Sequence, residues 1–332
     1  MTERAGGPGT AAGGTRSSRA PAVRGPRKRK PGSPTAFATQ LESWQTRVEQ
    51  ALDERLPAAD SEPARLHAAM RYCVLNGGGP RVRPLLLFGS CRAVGLSEAQ
   101  VEAAACAVEL AHAYSLVHDD LPAMDDADMR RGLPSCHKSY DQGTAVLVGD
   151  ALQSLAFQLL ATDDALPAAP AIRLRLTVLL AEAIGASGMA GGQALDVATR
   201  GQRRPGADIE AMYARRTGAL IRASVLMAAA CAPEAAAHLQ EALAAFATPL
   251  GLAFQIQDDL LNVSIQPGGS GQATRPDRAS RGDAAYPAVL GLAAAQQRVR
   301  ALYAQARGAL RPFGSAADPL RALTEWLLVR SS

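Results

Sequence analysis

An acidic segment in the first half of the chain carries the residues with the clearest chemistry. Five aspartates fall within ten residues and two arginines follow at once: Asp119, Asp120, Asp125, Asp126, Asp128, Arg130 and Arg131. Carboxylate oxygens are ligands that Mg²⁺ prefers, and this ion keeps waters or substrate phosphates in its remaining coordination positions. Guanidinium groups donate paired hydrogen bonds to phosphate oxygens. The segment indicates a magnesium-dependent polyphosphate site; the alternative is an acidic surface loop that ends in a basic patch.

A second polar cluster lies far along the chain, inside an otherwise apolar stretch. Helical spacing places its members on one face, at steps of three and four residues: Gln255, Asp258, Asp259 and Asn262. Polar groups among apolar neighbours need partners. We expect this face to oppose the first aspartates across a cavity in a helical bundle, where carboxylate metal sites are built. A solvated helix face is the alternative.

The elements that must position these clusters read as helices. Apolar residues recur at three and four positions in six stretches, near 36–56, 61–75, 97–118, 171–189, 233–262 and 285–310. The stretch 97–118 is apolar on nearly every side and is expected to be central and buried. Pro122 disfavours its continuation, so the first aspartates should follow a helix C-terminus. The sequence predicts an all-α fold, a single large helical bundle around a central cavity.

The composition of the 332 residues separates a basic tail from the rest of the chain. Residues 1–34 are rich in Gly, Pro and Arg and carry a net charge of +7, whereas the remainder carries −3. We expect residues 1–34 to be a disordered basic tail and residues 35–332 to be the folded domain. The pI near 8.9 therefore gives no reason to expect nucleic-acid binding by the domain. No apolar run reaches the roughly 20 residues of a membrane span, and five scattered cysteines fit a reducing, cytoplasmic compartment.

Five motifs in a fixed order carry a resemblance to a known family. They are Asp119–Asp125 with Arg130-Arg131, Gly191–Asp196, Arg216-Thr217-Gly218, Phe254–Asp259 and Tyr286-Pro287. Over roughly residues 36–330 the chain resembles the trans-isoprenyl diphosphate synthases, most closely the bacterial farnesyl diphosphate synthases. The resemblance implies the isoprenoid synthase fold and a homodimer. It also implies a Mg²⁺-dependent condensation of isopentenyl diphosphate with dimethylallyl or geranyl diphosphate to give farnesyl diphosphate.

The resemblance also implies roles for single residues. The metal ligands, for Mg²⁺ or alternatively Mn²⁺, would be Asp119, Asp120, Asp125, Asp258 and Asp259. The allylic diphosphate would be bound by Arg130, and isopentenyl diphosphate by Arg83, His112 and Arg131. Thr217 and Gln255 match groups near the allylic end, and Arg216 takes the place of a substrate-binding lysine. The expected catalytic set is Asp119, Asp125, Arg130, Thr217 and Gln255. About one helical turn before Asp119, the ring of Tyr114 would floor the pocket while the small Ser115 leaves room beside it, which favours a C15 product; otherwise Tyr114 is simply core.

The chain departs from the family pattern at several cationic and acidic positions. Pro80 and Arg216 stand where lysines are expected, and Asn262 stands in place of an aspartate. The lysines expected between Asn262 and Tyr286 are missing, with Asp283 near the place of the last. These departures leave two alternatives open, a weakened or inactive paralogue that acts as a binding or regulatory subunit, and a class I terpene cyclase.

Overall fold

Helices carry nearly all of the regular structure in the described part of the chain. The computed structural model describes residues 34–76, 78–166, 169–202, 204–264 and 286–329, with only the backbone for 34, 35 and 262–264. The helices are α1 Pro34–Arg55, α2 Ala64–Leu75, α3 Val82–Ala93, α4 Glu102–Asp119, α5 Cys136–Ser139, α6 Gln142–Thr162, α7 Pro170–Ile184, α8 Met189–Ala198, α9 Gly206–Tyr213, α10 Ala219–Ala230, α11 Ala237–Ser264, α12 Tyr286–Leu290, α13 Leu292–Ala309 and α14 Asp318–Val329. Short 3₁₀ turns cover Glu98–Val101 and Ser315–Ala317, and a π turn covers Ala214–Gly218. The predicted all-α fold is confirmed.

Helix α4 lies at the centre of the bundle, as its all-round apolar surface predicts. Every residue from Ala103 to Ala111 is at most 2% exposed. The helix packs most extensively against α6 and also contacts α1, α3 and α10. It ends at Asp119, three residues before Pro122. Proline disfavours helical backbone in the residue that precedes it, so the helix ends close to this point. The first aspartate motif therefore begins where the most buried helix meets the edge of the core.

The close approach of α4 and α6 depends on Gly149. A Cβ at this position would lie 1.9 Å from Nε2 of His118. The His118 imidazole instead lies within hydrogen-bond distance of the Val146 carbonyl, at 3.1 Å. The small residue thus lets one turn of α4, just before the aspartates, rest directly on α6.

A two-strand hairpin follows the first aspartates and was not anticipated from the sequence. β1 Met129–Arg130 pairs antiparallel with β2 Leu133–Pro134. The two turn residues, Arg131 and Gly132, both have positive φ, at 52° and 82°. Such turns match the twist of a tight hairpin but are sparsely populated by residues other than glycine. The hairpin holds Arg131 in a backbone conformation that an ordinary loop would rarely adopt.

The helical stretches predicted from periodicity are mostly present, with different boundaries. The stretch 171–189 ends at Ile184, before Gly185, and the stretch 285–310 is divided at Gly291, whose φ is +85°. Seven helices in the described residues were missed: α3, α5, α6, α8, α9, α10 and α14. Leu85 and Leu152, in α3 and α6, are fully buried. Several of these helices are apolar around much of their surface and so lack the stripe of period 3.6 that marks an amphipathic helix.

Two stretches are long and apolar enough on average to cross a membrane, although neither is an unbroken apolar run. They are Gln142–Thr162 and Pro170–Ala198. The core helix of a soluble protein passes the same test, and Val148, Leu152 and Leu160 of the first stretch are buried. The two stretches are not enough to indicate a membrane protein.

The predicted basic tail, residues 1–34, lies outside the described residues except for the backbone of Pro34, so that boundary stays a prediction.

Candidate functional site

The first aspartate is held by groups from two other elements. Oδ1 of Asp119 accepts a hydrogen bond from Nε2 of Gln193 at 2.9 Å, and its Oδ2 lies 3.2 Å from Nη2 of Arg216. Arg216 also donates to Asp196. Gln193 and Asp196 are three residues apart on α8, so both point to the same side of that helix. The Gly191–Asp196 motif thus supplies the polar lining beside Asp119, whose residue exposure is only 7%.

Arg216 reaches these carboxylates from the π turn Ala214–Gly218. Single π turns place side chains differently from an α-helix and occur frequently at functional sites. The turn lies against Gly192, where a Cβ would be 2.4 Å from the backbone nitrogen of Arg216. Burial alone would lower the pKa of Arg216, but the charges of Asp119 and Asp196 raise it above its ordinary value. The guanidinium is a permanent cation enclosed by acids.

The second aspartate motif meets the same π turn from the other side. Oγ1 of Thr217 donates to Oε1 of Gln255 at 2.6 Å, and Nε2 of Gln255 donates to Oδ1 of Asp259 at 3.2 Å. The hydroxyl of Tyr213, which precedes the turn, donates to Oδ2 of Asp259. The backbone N–H of Tyr286 donates to the same oxygen at 3.2 Å. All five sequence motifs therefore take part in one connected network through the turn.

Both aspartate motifs contact residues in or next to the same π turn. Asp119 contacts Arg216 on one side of the turn, and Asp259 contacts Tyr213 on the other. Asp258 is half-buried on α11, and its charge acts to raise the pKa of Arg83. The two motifs are linked through adjacent residues of the same turn, because Arg216 contacts Asp119 and Thr217 contacts Gln255.

The paired arginines of the hairpin point to different partners. Nε of Arg130 donates to Oδ2 of Asp120 at 2.9 Å, and its Nη2 donates to the other carboxylate oxygen, so this pair is bidentate. Nη1 of Arg131 donates to the Gly78 carbonyl. A Cβ at position 79 would lie 2.8 Å from Cζ of Arg131, so glycine at 79 leaves the room that this guanidinium uses. A small cavity of about 40 Å³ borders Asp120 and both arginines.

A buried cationic cluster surrounds His112 and Arg83, the two residues matched to isopentenyl diphosphate. Arg83 is 8% exposed, and its Nε has no hydrogen-bond partner among the described residues. Burial lowers the pKa of Arg83 to about 10; Arg131 lowers it too, while Glu109 and Asp258 raise it. Burial also lowers the pKa of His112 well below its ordinary value, and the charges of Arg83 and Arg131 act in the same direction. His112 is therefore a neutral imidazole beside two cations near neutral pH.

Glu109 is the buried acid that balances this cluster. Nη1 of Arg81 donates to Oε1 of Glu109 at 2.7 Å, and the fork of Arg81 also contacts Glu49 at 2.6 and 3.0 Å. Arg81 and Glu109 are each 2% exposed. Removing one member of such a buried pair costs about 3–5 kcal/mol, because the other charge is left uncompensated. The pair is a structural anchor behind Arg83.

Tyr114, the predicted floor of the pocket, and Ser115 beside it lie buried one turn before Asp119. The Tyr114 ring packs edge-on against His118, with ring centroids 5.9 Å apart, and burial raises the pKa of its hydroxyl. Oγ of Ser115 donates to the His112 carbonyl at 2.8 Å, within the same helix. Their burial is compatible with either a floor or a core role, and the assignment of product length to them stays a prediction.

The predicted metal ligands carry ion pairs that the sequence did not reveal. Three aspartates of the first motif each face an arginine: Asp119 faces Arg216, Asp120 faces Arg130, and Asp125 faces Arg200. Among the residues that the structure describes, no three His, Cys, Asp or Glu side chains are gathered closely enough to hold a metal ion. The donor chemistry still fits a hard divalent cation, because all of the predicted ligands are carboxylate oxygens. The arginines that pair with these carboxylates would have to give way to the ion. Asp119 and Asp125 would hold such an ion.

Sequence reasoning assigned no role to several residues that complete the site. Gln193 and Asp196 could have been found, because their spacing of three within a quoted motif places them on one helix face. Tyr213 and Arg200 gave no such signal. Their partners, Asp259 and Asp125, are 46 and 75 residues away in sequence. Asn262 and Asp283, two of the departures from the family pattern, have side chains outside the described residues.

Comparisons with known proteins agree with this geometry. The profile of the Polyprenyl synthetase family matches residues 63–311. The farnesyl diphosphate synthase of Haemophilus influenzae is 37% identical over 299 residues, covering 89% of this chain and 99% of that protein. The Escherichia coli farnesyl diphosphate synthase is 38% identical, with the same coverage.

Solved structures give the same result. The apo structure of an FPP/GFPP synthase from Zymomonas mobilis aligns with a TM-score of 0.78 at 35% identity, covering 89% of this chain and 99% of that one. A geranyltransferase from Legionella pneumophila aligns with a TM-score of 0.79 at 32% identity, covering 90% and 99%. On its motifs, its fold and these matches, the chain belongs to the polyprenyl synthetase family.

Proposed function

We propose that this chain is a short-chain prenyltransferase that condenses isopentenyl diphosphate with dimethylallyl and geranyl diphosphate to make farnesyl diphosphate. The observation that carries the proposal is the meeting of both aspartate motifs on one π turn, where Arg216 contacts Asp119 and Thr217 contacts Gln255. The names of the Haemophilus influenzae and Escherichia coli relatives support the same product.

The two diphosphates would occupy different sides of the site. Asp119, Asp125 and Arg130 face the allylic diphosphate in this proposal, and Arg83, His112 and Arg131 face isopentenyl diphosphate. Magnesium, when bound, would neutralise the allylic diphosphate and make it a better leaving group. The arginines would orient both substrates, so that the reacting carbons meet without a search in solution.

The bond changes follow from this arrangement. The allylic C–O bond breaks, its electron pair leaves with diphosphate, and the double bond of isopentenyl diphosphate attacks the resulting cationic carbon. A proton then leaves the condensed product, and the released diphosphate is the base at hand. Thr217 and Gln255, which are hydrogen-bonded to each other at 2.6 Å, would place their oxygens near the allylic end. Fixed dipoles of this kind stabilise developing charge without reorganising.

The departure at Arg216 does not remove the cation from the site. Its guanidinium contacts Asp119, Asp125 and Asp196. This retained charge favours an active enzyme over a non-catalytic paralogue.

Incubation of the purified full chain with Mg²⁺, geranyl diphosphate and isopentenyl diphosphate tests the proposal. We expect diphosphate release and a C15 product by mass spectrometry. Asp119→Ala should lower the rate by at least about a hundredfold, because it removes a carboxylate that would hold the Mg²⁺ on the leaving diphosphate. A rate unchanged in this variant would refute the metal assignment.

Other outcomes would support the alternatives. If no product forms, although geranyl diphosphate binds in the presence of Mg²⁺, the chain is a binding or regulatory paralogue. If diphosphate is released from geranyl or farnesyl diphosphate alone and a hydrocarbon appears, the chain is a terpene cyclase.

We also propose a cytoplasmic homodimer, as the family resemblance implies. Val146 and Leu147 of α6 are 42% and 58% exposed and would suit a surface between subunits. Sedimentation of the full chain at micromolar concentration should give twice the mass of one chain, and a single-chain mass would refute the dimer.

A further inference from the structure

Arg200 binds the first aspartate motif from a position that no motif marks. It lies two residues beyond the end of α8 and just before Gly201, whose φ is +73°. Its Nη1 donates to the Met124 carbonyl at 2.6 Å, and its Nη2 donates to Oδ1 of Asp125 at 2.9 Å. One guanidinium therefore connects the end of α8 to the loop that follows α4.

Asp125 consequently lies between two arginines whose side chains differ in solvent exposure. Its Oδ2 is 3.8 Å from Nη2 of Arg216, whose side chain is 11% exposed. The side chain of Arg200, on the other carboxylate oxygen, is 36% exposed. Arg216 is thus enclosed, whereas Arg200 reaches Asp125 from the solvent side.

The contacts of Arg200 can be exchanged more easily than those of Arg216. A part-exposed ion pair is weak, because water screens it and the long side chain loses freedom when it is held. A cation that binds Asp125 competes directly with Arg200 for the same oxygen. Once displaced, the guanidinium has a fork suited to phosphate oxygens. The chain also lacks lysines that the resemblance would place around the diphosphates, and Arg200 supplies a positive charge at the aspartate motif.

We propose that Arg200 is an additional ligand for the allylic diphosphate, which it binds after exchanging Asp125 for phosphate oxygen. Before substrate arrives, Arg200 screens Asp125; in the loaded site, Asp125 turns to the metal and Arg200 to the diphosphate. This inference rests on the proposed function, because it takes the allylic diphosphate as the occupant of the first aspartate motif.

Arg200→Gln tests the exchange through two effects of opposite sign. The KM for geranyl diphosphate at saturating Mg²⁺ should rise roughly fivefold to tenfold, since a charge-assisted hydrogen bond is lost. The KM for isopentenyl diphosphate should stay within about twofold, because Arg200 contacts only the allylic side. In calorimetry of the substrate-free protein, the Kd for Mn²⁺ should be at least about twofold lower in the variant than in the wild type, because the Arg200 guanidinium no longer competes for Asp125.

Arg204→Gln is the matched control. It removes the same charge four residues away, where Nη1 of Arg204 lies 3.3 Å from Oγ1 of Thr199 and 3.9 Å from the sulfur of Met212. We expect both KM values and Mn²⁺ binding to match the wild type. Arg200→Lys should restore part of the geranyl diphosphate affinity, because it returns the charge without the fork.

Three results would overturn the inference. The first is a KM for geranyl diphosphate that is unchanged in Arg200→Gln. The second is an equal rise in both KM values together with weaker Mn²⁺ binding, since this would mean that Arg200 only holds the loop in shape. The third is an equal effect of Arg204→Gln. If the wild type forms no product, the proposed function fails; calorimetric binding of geranyl diphosphate, with Mn²⁺ present, then still decides the role of Arg200.

Discussion

Replacing Gly192 by alanine is expected to lower kcat/KM, although Gly192 has no side chain that could contact a substrate. The reason is that Gly192 packs against Arg216. A Cβ at this position would lie 2.4, 2.6 and 2.7 Å from the N, Cα and Cβ atoms of Arg216. Real Cβ contacts are essentially never under 3.0 Å, so α8 and the π turn must separate by at least about 0.6 Å, the difference between 3.0 and 2.4 Å. The obstructing atoms include backbone, so no side-chain rotation relieves the clash.

The displacement acts directly on the site. Gln193 follows Gly192 and holds Asp119 at 2.9 Å, and Arg216 holds Asp119 at 3.2 Å. A shift near 1 Å in a catalytic arrangement can cost about a hundredfold, so we expect kcat/KM to fall roughly tenfold to a hundredfold. Overpacking of this kind lowers the free energy of unfolding by about 1–3 kcal/mol.

Diphosphate release from geranyl and isopentenyl diphosphates measures the first effect, and urea unfolding measures the second. Gly308→Ala in α13 is the control, because nothing lies within 4 Å of a Cβ there. The control should keep full activity and unfold at the same or a slightly higher urea concentration. If Gly192→Ala keeps kcat/KM within about twofold of the wild type, the close approach does not position Arg216, and the reasoning is wrong.

Three further predictions concern α4 and its contacts. Gly149→Ala should lower the free energy of unfolding by about 1–2 kcal/mol in urea, because its Cβ meets the His118 ring, and adding His118→Ala should recover much of that loss; no recovery would mean that the clash lies elsewhere. Tyr114→Ala should lengthen the product towards C20 by mass spectrometry, because it removes a buried ring before Asp119; an unchanged C15 product would make Tyr114 simply core. His112, whose pKa burial and nearby arginines lower, stays neutral in the fold but takes up a proton in the unfolded chain below its ordinary value of 6.5. Stability should therefore be full above pH 6.5 and fall as the pH drops below it, and urea unfolding of His112→Gln between pH 7.5 and 5.5 should show a smaller fall; an equal fall would rule out this source.

The fold class and the two acid clusters could be predicted from sequence because their signals are local. The periodicity of apolar residues marked several helices, and Pro122 marked the end of α4. Asp119, Asp120 and Asp125 lie within seven residues of one another, so their shared chemistry was visible in the sequence. Helices that are apolar around much of their surface, such as α6, lacked a polar stripe and were missed for that reason.

The sequence alone did not decide which cations face those acids. The pairs of Arg216 with Asp119 and of Arg200 with Asp125 join residues 97 and 75 positions apart. The positive φ of Arg131 likewise arises from hairpin closure and could not be inferred from its neighbours. The residues that can carry charge are written in the sequence, but the pairing of those charges depends on distances that exist only after distant helices have packed. Because electrostatic and hydrogen-bond energies fall steeply with distance, the tertiary structure decided which charged and polar groups of this site pair with one another.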